Sequence, residues 1–205
     1  MIKQISNQHQ GLHGQKISGR HLITTVDTLG SITTFYRTKC PPARGGNPCW
    51  EHLMVIENQI AKGEVDSIGG VYYLPSHWVS VVFDFQQGCI LYGDSLGHPI
   101  PKQEHNAFSQ WIRTLYQRSG RSMDGSSPVT SLSTGYQNGG ASCGLFALNA
   151  IGHHYLDQPL LSPDCELLAC RRMEITLDLI YENTVCSILH SILHFDLVCT
   201  ADCQS

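Results

Sequence analysis

Four side chains in this 205-residue chain have the types and spacing that thiol-based acyl transfer requires: His77, Asp94, Gln137 and Cys143. His77 opens a β-branched and aromatic run, Trp78 to Phe85, and Asp94 follows the return run, Cys89 to Tyr92. Gln86-Gln87-Gly88 between them reads as a turn. Opposed residues of an antiparallel hairpin have a constant index sum, and for His77 and Asp94 that sum centres the hairpin between Phe85 and Gln86, beside the turn. The two are therefore expected close across the hairpin mouth, within about one to three residues of register. A carboxylate there is expected to hold the imidazole through Nδ1–H and to leave Nε2 free as a base. Such a pair also arises as plain structure, so the chemistry needs a nucleophile.

Cys143 supplies one. It follows the Gly-rich bend Gly139-Gly140-Ala141-Ser142 and opens an apolar segment that reads as a helix to Tyr155. A thiol at a helix N-terminus meets the positive end of the dipole and free backbone N–H groups, which favour thiolate. A buried structural cysteine is the bland alternative, as for Cys165 or Cys170. Gly144 allows close approach of another backbone, and Gly139-Gly140 allows an unusual backbone path into the helix. Gln137, six positions before Cys143, sits where a side-chain amide could donate to an oxyanion together with the Cys143 N–H.

The elements that must position these groups follow from periodicity. Val71–Leu74 reads as a strand ended by Pro75. A helix is expected over about 103–119, with Phe108, Trp111, Ile112 and Leu115 on one face and Gly120 as its stop. Residues 126–132 read as a further strand, and 50–61 as a short helix. Leu22–Tyr36, rich in Thr, Ile, Val and Phe, is expected to hold a strand or hairpin around Leu29-Gly30-Ser31. Ser162-Pro163-Asp164 is a good helix start, and a helical region is expected over about 164–195. Strands in the middle with helices on both sides give an α+β domain.

Bulk composition bounds the rest. Hydrophobic residues make up 41% and charged ones 15%, enough for a self-supporting core. The net charge of −4 argues against a dedicated nucleic-acid binder. No apolar run approaches the roughly 20 residues that cross a bilayer. Residues 1–20, polar and rich in Gln, His and Gly, read as a flexible arm before a single domain over 21–205, with no secretory h-region. The nine cysteines form no compact framework, so reduced thiols are the expectation. The segment from Cys40 to Cys49 reads as a Pro- and Gly-rich loop rather than a metal knuckle, and His153-His154 as a helix end rather than a metal site. Arg171-Arg172 reads as a solvated helix face.

The ordered set His77-Trp78-Val79-Ser80-Val81-Val82, Tyr92-Gly93-Asp94-Ser95-Leu96-Gly97, then Gln137 with five residues to Cys143-Gly144, resembles the ubiquitin-like-protein-specific cysteine proteases. That group includes the SUMO (sentrin) proteases and the adenovirus protease, and the resemblance covers about 70–156. It implies a papain-like, adenain-like α+β fold: a central mixed β-sheet flanked by helices, with the nucleophile at a helix N-terminus. It implies His77 as base, Asp94 as its orienting partner, Gln137 in the oxyanion hole and Cys143 as nucleophile. Trp78, with Gly144, matches the cover of a narrow channel for a Gly-Gly tail. Implied too are a ubiquitin-like modifier (SUMO, NEDD8 or ubiquitin) as partner, no metal or other cofactor, no nucleic acid or membrane, a monomeric state, and an intracellular setting, cytoplasmic or nuclear, or the host cell interior for an effector. The chain departs from the pattern in carrying Ser142 where SUMO proteases usually have Asp, a residue still able to cap a helix. Only 76 residues precede His77, and Trp50-Glu51-His52-Leu53 is the nearest counterpart of the family's N-terminal helix start. Two rivals share these residues: an acyltransferase on a related core, which usually has Glu in place of Asp94, and an inactive modifier-binding module.

Overall fold

The structure, a computed structural model, describes residues 3–6, 20–38, 48–123, 125–138, 142–163, 170 and 173. Its elements in chain order are β1 (Lys3–Ser6), β2 (Arg20–Ile23), α1 (Val26–Thr38), α2 (Pro48–Ala61), β3 (Ser67–Leu74), β4 (His77–Asp84), β5 (Cys89–Gly93), α3 (Lys102–Arg118), β6 (Val129–Ser131) and α4 (Cys143–Leu156). The strands form one mixed six-stranded sheet in sequential order. β3, β4 and β5 are an antiparallel meander, while β2 joins β3 and β6 joins β5 in parallel.

Period-two alternation decides which helix covers which face. Val79, Val81 and Phe83 of β4 and Ile90 and Tyr92 of β5 share one core with Leu29 and Ile32 of α1, Leu53 and Ile56 of α2, and Phe108, Trp111, Ile112 and Leu115 of α3. The Trp111 ring meets Phe83 edge-on at 4.9 Å, and its Nε1–H donates to Glu57 Oε1 at 2.9 Å. Arg118 closes that buried carboxylate at 2.6 Å, so the indole and the acid are both satisfied. On the opposite face Val82 packs with Leu132 and with Ala150, Ile151 and Tyr155 of α4. The Ser80 hydroxyl donates to the Ala147 carbonyl at 2.9 Å and ties β4 to that helix.

The central strands, α2, α3 and α4 lie where periodicity puts them, and Gly120 ends α3 at φ +71. The stretch 22–36 does not. Only its start belongs to a strand, and the expected hairpin around Leu29-Gly30-Ser31 is helix α1. Leu29, Ile32, Thr33 and Tyr36 recur at helical spacing, and the first three are buried against the sheet. The Thr25 hydroxyl accepts the Thr28 N–H at 3.3 Å and starts the helix. Packing of this stripe outweighs the β-propensity of its Thr and Ile residues.

Residues 3–6, inside the segment read as an arm, form β1 on β2. Residues 39–47, most of the expected Cys40–Cys49 loop, lie outside the described residues, as do Gly139-Gly140-Ala141, Arg171-Arg172 and most of 164–195. The chain divides into two compact units, Met1–Leu161 and Ser162–Ser205. In the second, Cys170 and Met173 have helical backbone. Cys89, Cys143 and Cys170 are free thiols.

Candidate active site

The meander builds the base–acid pair. β4 and β5 pair with Ser80 opposite Gly93 and Asp84 opposite Cys89. The Asp84 carboxylate accepts the backbone N–H groups of Gln86 (2.8 Å) and Gln87 (2.9 Å) and shapes the turn. This register places Asp94 one pleat repeat from His77, on the same face, a diagonal neighbour rather than a direct one. The contact forms through His77 Nε2, 2.7 Å from Asp94 Oδ1. The expected use of Nδ1 is thereby reversed: Nε2 is the ring nitrogen that Asp94 engages. The rotamer of His77 decides this, and strand register does not specify it.

Asp94 heads a tight turn. Its Oδ1 also accepts the Leu96 N–H at 2.7 Å, and its carbonyl accepts the Gly97 N–H at 2.9 Å. The acid side chain is 2% exposed, and Oδ2 has no hydrogen bond; His98 Nδ1 faces it at 3.4 Å. Beside it, Tyr92 is buried. Burial first, and then the charge on Asp94, push its phenol well up, so it stays neutral.

Gln137 lies on the segment after β6. Leu132 donates to the Tyr92 carbonyl at 2.9 Å, and Gln137 N–H donates to the Ser95 carbonyl at 3.0 Å. The residue is 2% exposed. Its Oε1 accepts from the Ser95 hydroxyl at 2.9 Å, whereas its Nε2 is a buried donor with no partner. A solvated loop glutamine would show neither feature. The amide is turned so that its N–H₂ group is the unspent end.

Cys143 is the first residue of α4, 8% exposed. Ser142 occupies the N-cap position, but its hydroxyl makes no cap bond, contrary to expectation. Its carbonyl accepts Leu145 N–H and Phe146 N–H. The N–H groups of Cys143 and Gly144 precede the first intrahelical donors. Gly144 is approached by a side chain rather than a backbone: a Cβ there would sit 3.5 Å from Trp78 Cδ1. Trp78 therefore lies over the start of α4. Its own support is Tyr73, directly across β3, with ring centroids 4.7 Å apart. Ser76, at φ +61 in the Pro75-Ser76 turn, donates its N–H to the Tyr73 hydroxyl at 3.2 Å.

The structure thus joins His77 to Asp94, Trp78 to Gly144 and Gln137 to the turn that carries Asp94. Ser95, His98 and Tyr73 have roles here that sequence reasoning missed. Ser95 stood in the quoted motif without a function. Tyr73 had a signal, a ring directly opposite Trp78 once the two-residue turn is counted.

The family model for the Ulp1 protease family, C-terminal catalytic domain, matches residues 72–173, a span that includes all four candidate residues. Among solved structures, the C-terminal Ulp1 protease domain in complex with Smt3, the yeast ortholog of SUMO, is similar at 21% identity over 71% of each chain, with a TM-score of 0.39. The SUMO protease Ulp1 with its catalytic cysteine oxidised to a sulfenic acid is similar at 19% identity, again over 71% of each chain, with a TM-score of 0.41. ChlaDub1 from Chlamydia trachomatis is similar at 19% identity over 66% of this chain and 64% of its own, with a TM-score of 0.33. Comparison with curated proteins gave no match.

Proposed function

Since this chain belongs to the Ulp1 family of cysteine peptidases, we propose that it hydrolyses the bond after the C-terminal Gly-Gly of a ubiquitin-like modifier, releasing the modifier from a precursor or a conjugate. The observation that carries the mechanism is the Gln137 amide, whose oxygen is held by Ser95 while its buried Nε2 has no partner. An unpaired buried donor costs about 1–3 kcal/mol. A site that will receive an oxyanion recovers that cost only when the charge forms.

In this reading Cys143 gives its proton to His77 Nδ1, and the thiolate attacks the carbonyl of the terminal Gly. Gln137 Nε2 and the Cys143 N–H hold the oxyanion. Asp94 fixes the ring through Nε2 and stabilises the imidazolium. The protonated Nδ1 then donates to the leaving amine. The same atom next takes a proton from the water that attacks the thioester, and the carboxylate and free thiol are released. The Trp78 ring lies over Gly144, beside the helix start that Cys143 opens, and this flat aromatic cover supports a Gly-Gly tail as the occupant. The modifier is SUMO, NEDD8 or ubiquitin, and the setting intracellular, cytoplasmic or nuclear; the enzyme acts as a monomer.

The test is covalent capture. SUMO, NEDD8 and ubiquitin, each carrying a C-terminal electrophile, are incubated with the chain and with Cys143→Ala. Adduct with one modifier on the native chain alone is expected; no adduct with any of the three would overturn the reading.

A further inference from the structure

His98 stands outside the mechanism above yet faces its acid. One ligand atom from each of His77, Asp94 and His98 lies within 4.8 Å of the other two. Two imidazoles and a carboxylate are a ligand set for a borderline-soft divalent cation. A second observation is independent of that composition. Asp94 Oδ2, on a side chain 2% exposed, has no hydrogen bond and is turned to the side where His98 Nδ1 lies at 3.4 Å. A triad carboxylate has every reason to be fully hydrogen-bonded, and this one retains an unspent oxygen aimed at a second imidazole.

We propose that His77, Asp94 and His98 form an inhibitory zinc site in which the cation takes the place of the proton between the base and its acid. At Zn–N and Zn–O lengths of about 2.0–2.2 Å, neighbouring ligands of a tetrahedral site lie about 3.3 Å apart. The His98–Asp94 separation of 3.4 Å already matches. That separation is to Oδ2, whereas His77 Nε2 lies 2.7 Å from the other oxygen, Oδ1, so this contact must give way for Nε2 to turn to a cation held by Oδ2. His98 is 67% exposed and follows Gly97 in the turn, so it can adjust and offers the cation a way in from solvent. Water completes the coordination.

The proton balance explains inhibition. Zinc binds Nε2 through its lone pair, so the Nε2 proton must leave. On a neutral ring it moves to Nδ1. Nδ1 then already carries a proton and cannot accept the one from Cys143. This inhibitory consequence rests on the proposed peptidase mechanism, whereas binding does not.

The two are separated by the experiment. The full-length Cys143→Ala protein, which has no thiol at the site, is titrated with Co²⁺ by visible absorption and with Zn²⁺ by calorimetry. Cys143→Ala/His98→Ala and Cys143→Ala/His98→Gln are measured alongside. Removal of His98 is expected to weaken one binding event by about tenfold or more, without a thiolate-to-cobalt charge-transfer band. Equal affinity in all three proteins, absence of saturable binding, or binding only with the thiolate band would each overturn the site. In the native chain, turnover is expected to be inhibited by Zn²⁺ and restored by chelator. His98→Ala is expected to raise the inhibitory concentration about tenfold. If no substrate turns over, the peptidase reading fails while the cobalt titration still decides the site.

Discussion

At the scale of single residues, the site depends on which atoms are engaged and which are left unspent. Cys143→Ala is expected to abolish turnover with an unchanged circular dichroism spectrum, since alanine suits a helix start. Turnover at the native rate would remove Cys143 from the chemistry. Gln137→Ala is expected to lower kcat by roughly 10²–10³, the scale for one oxyanion donor, while leaving alkylation of the thiol by a small reagent intact. Parallel loss of both rates would indicate a collapsed loop instead. Asp94→Asn should lower kcat by roughly 10²–10⁴; a change below about threefold would reduce Asp94 to a turn residue. The proximity of His77 and Asp94 was legible because hairpin arithmetic is local. The engaged nitrogen was not, because a ring rotamer depends on packing. Nor was the Ser95–Gln137 bond legible, since it joins residues 42 apart in sequence across a contact that no local pattern encodes.

Among the elements, the meander and α3 were legible because their apolar period is unambiguous, with Phe108, Trp111, Ile112 and Leu115 all buried as one stripe. Helix α1 was misread because its Thr and Ile residues suit strands locally, and only the sheet that it covers tips the balance. The junction of β2 and α1 lies tightly against β3: Thr24 N–H donates to the Gly69 carbonyl at 2.9 Å, and a Cβ at Gly70 would come 2.9 Å from the Thr24 carbonyl oxygen. That neighbour is backbone and cannot swing away. Gly70→Ala is therefore expected to destabilise the fold by about 1–3 kcal/mol, measured as a shift in the urea midpoint with unchanged slope. A neutral outcome would mean that the β2–α1 junction yields.

For the molecule as a whole, two half-buried histidines set an acid limit on stability. Burial holds His21 below its ordinary value, more than Asp66 and Asp84 raise it. Burial, then the charge of His21, does the same to His154. Below the unfolded value of 6.5 the unfolded chain binds protons that the folded chain still refuses. Folding free energy is thus full above that pH and declines as pH falls through it. Urea midpoints between pH 8 and pH 5.5 are expected to decrease, and His21→Gln should flatten the decline; a flat profile in the native protein would contradict this. No described helix is long and apolar enough to cross a membrane. The two sides of the candidate site also differ in their distance along the chain. His77 and Asp94 belong to one contiguous meander, whereas Cys143 opens α4, which packs on the far face of the sheet. Local pairings form before distant ones, so the meander that carries His77 and Asp94 is expected to form before α4 docks on it. On the proposed mechanism, a peptidase built in this order stays inert until α4 docks, and that docking is the step that arms it.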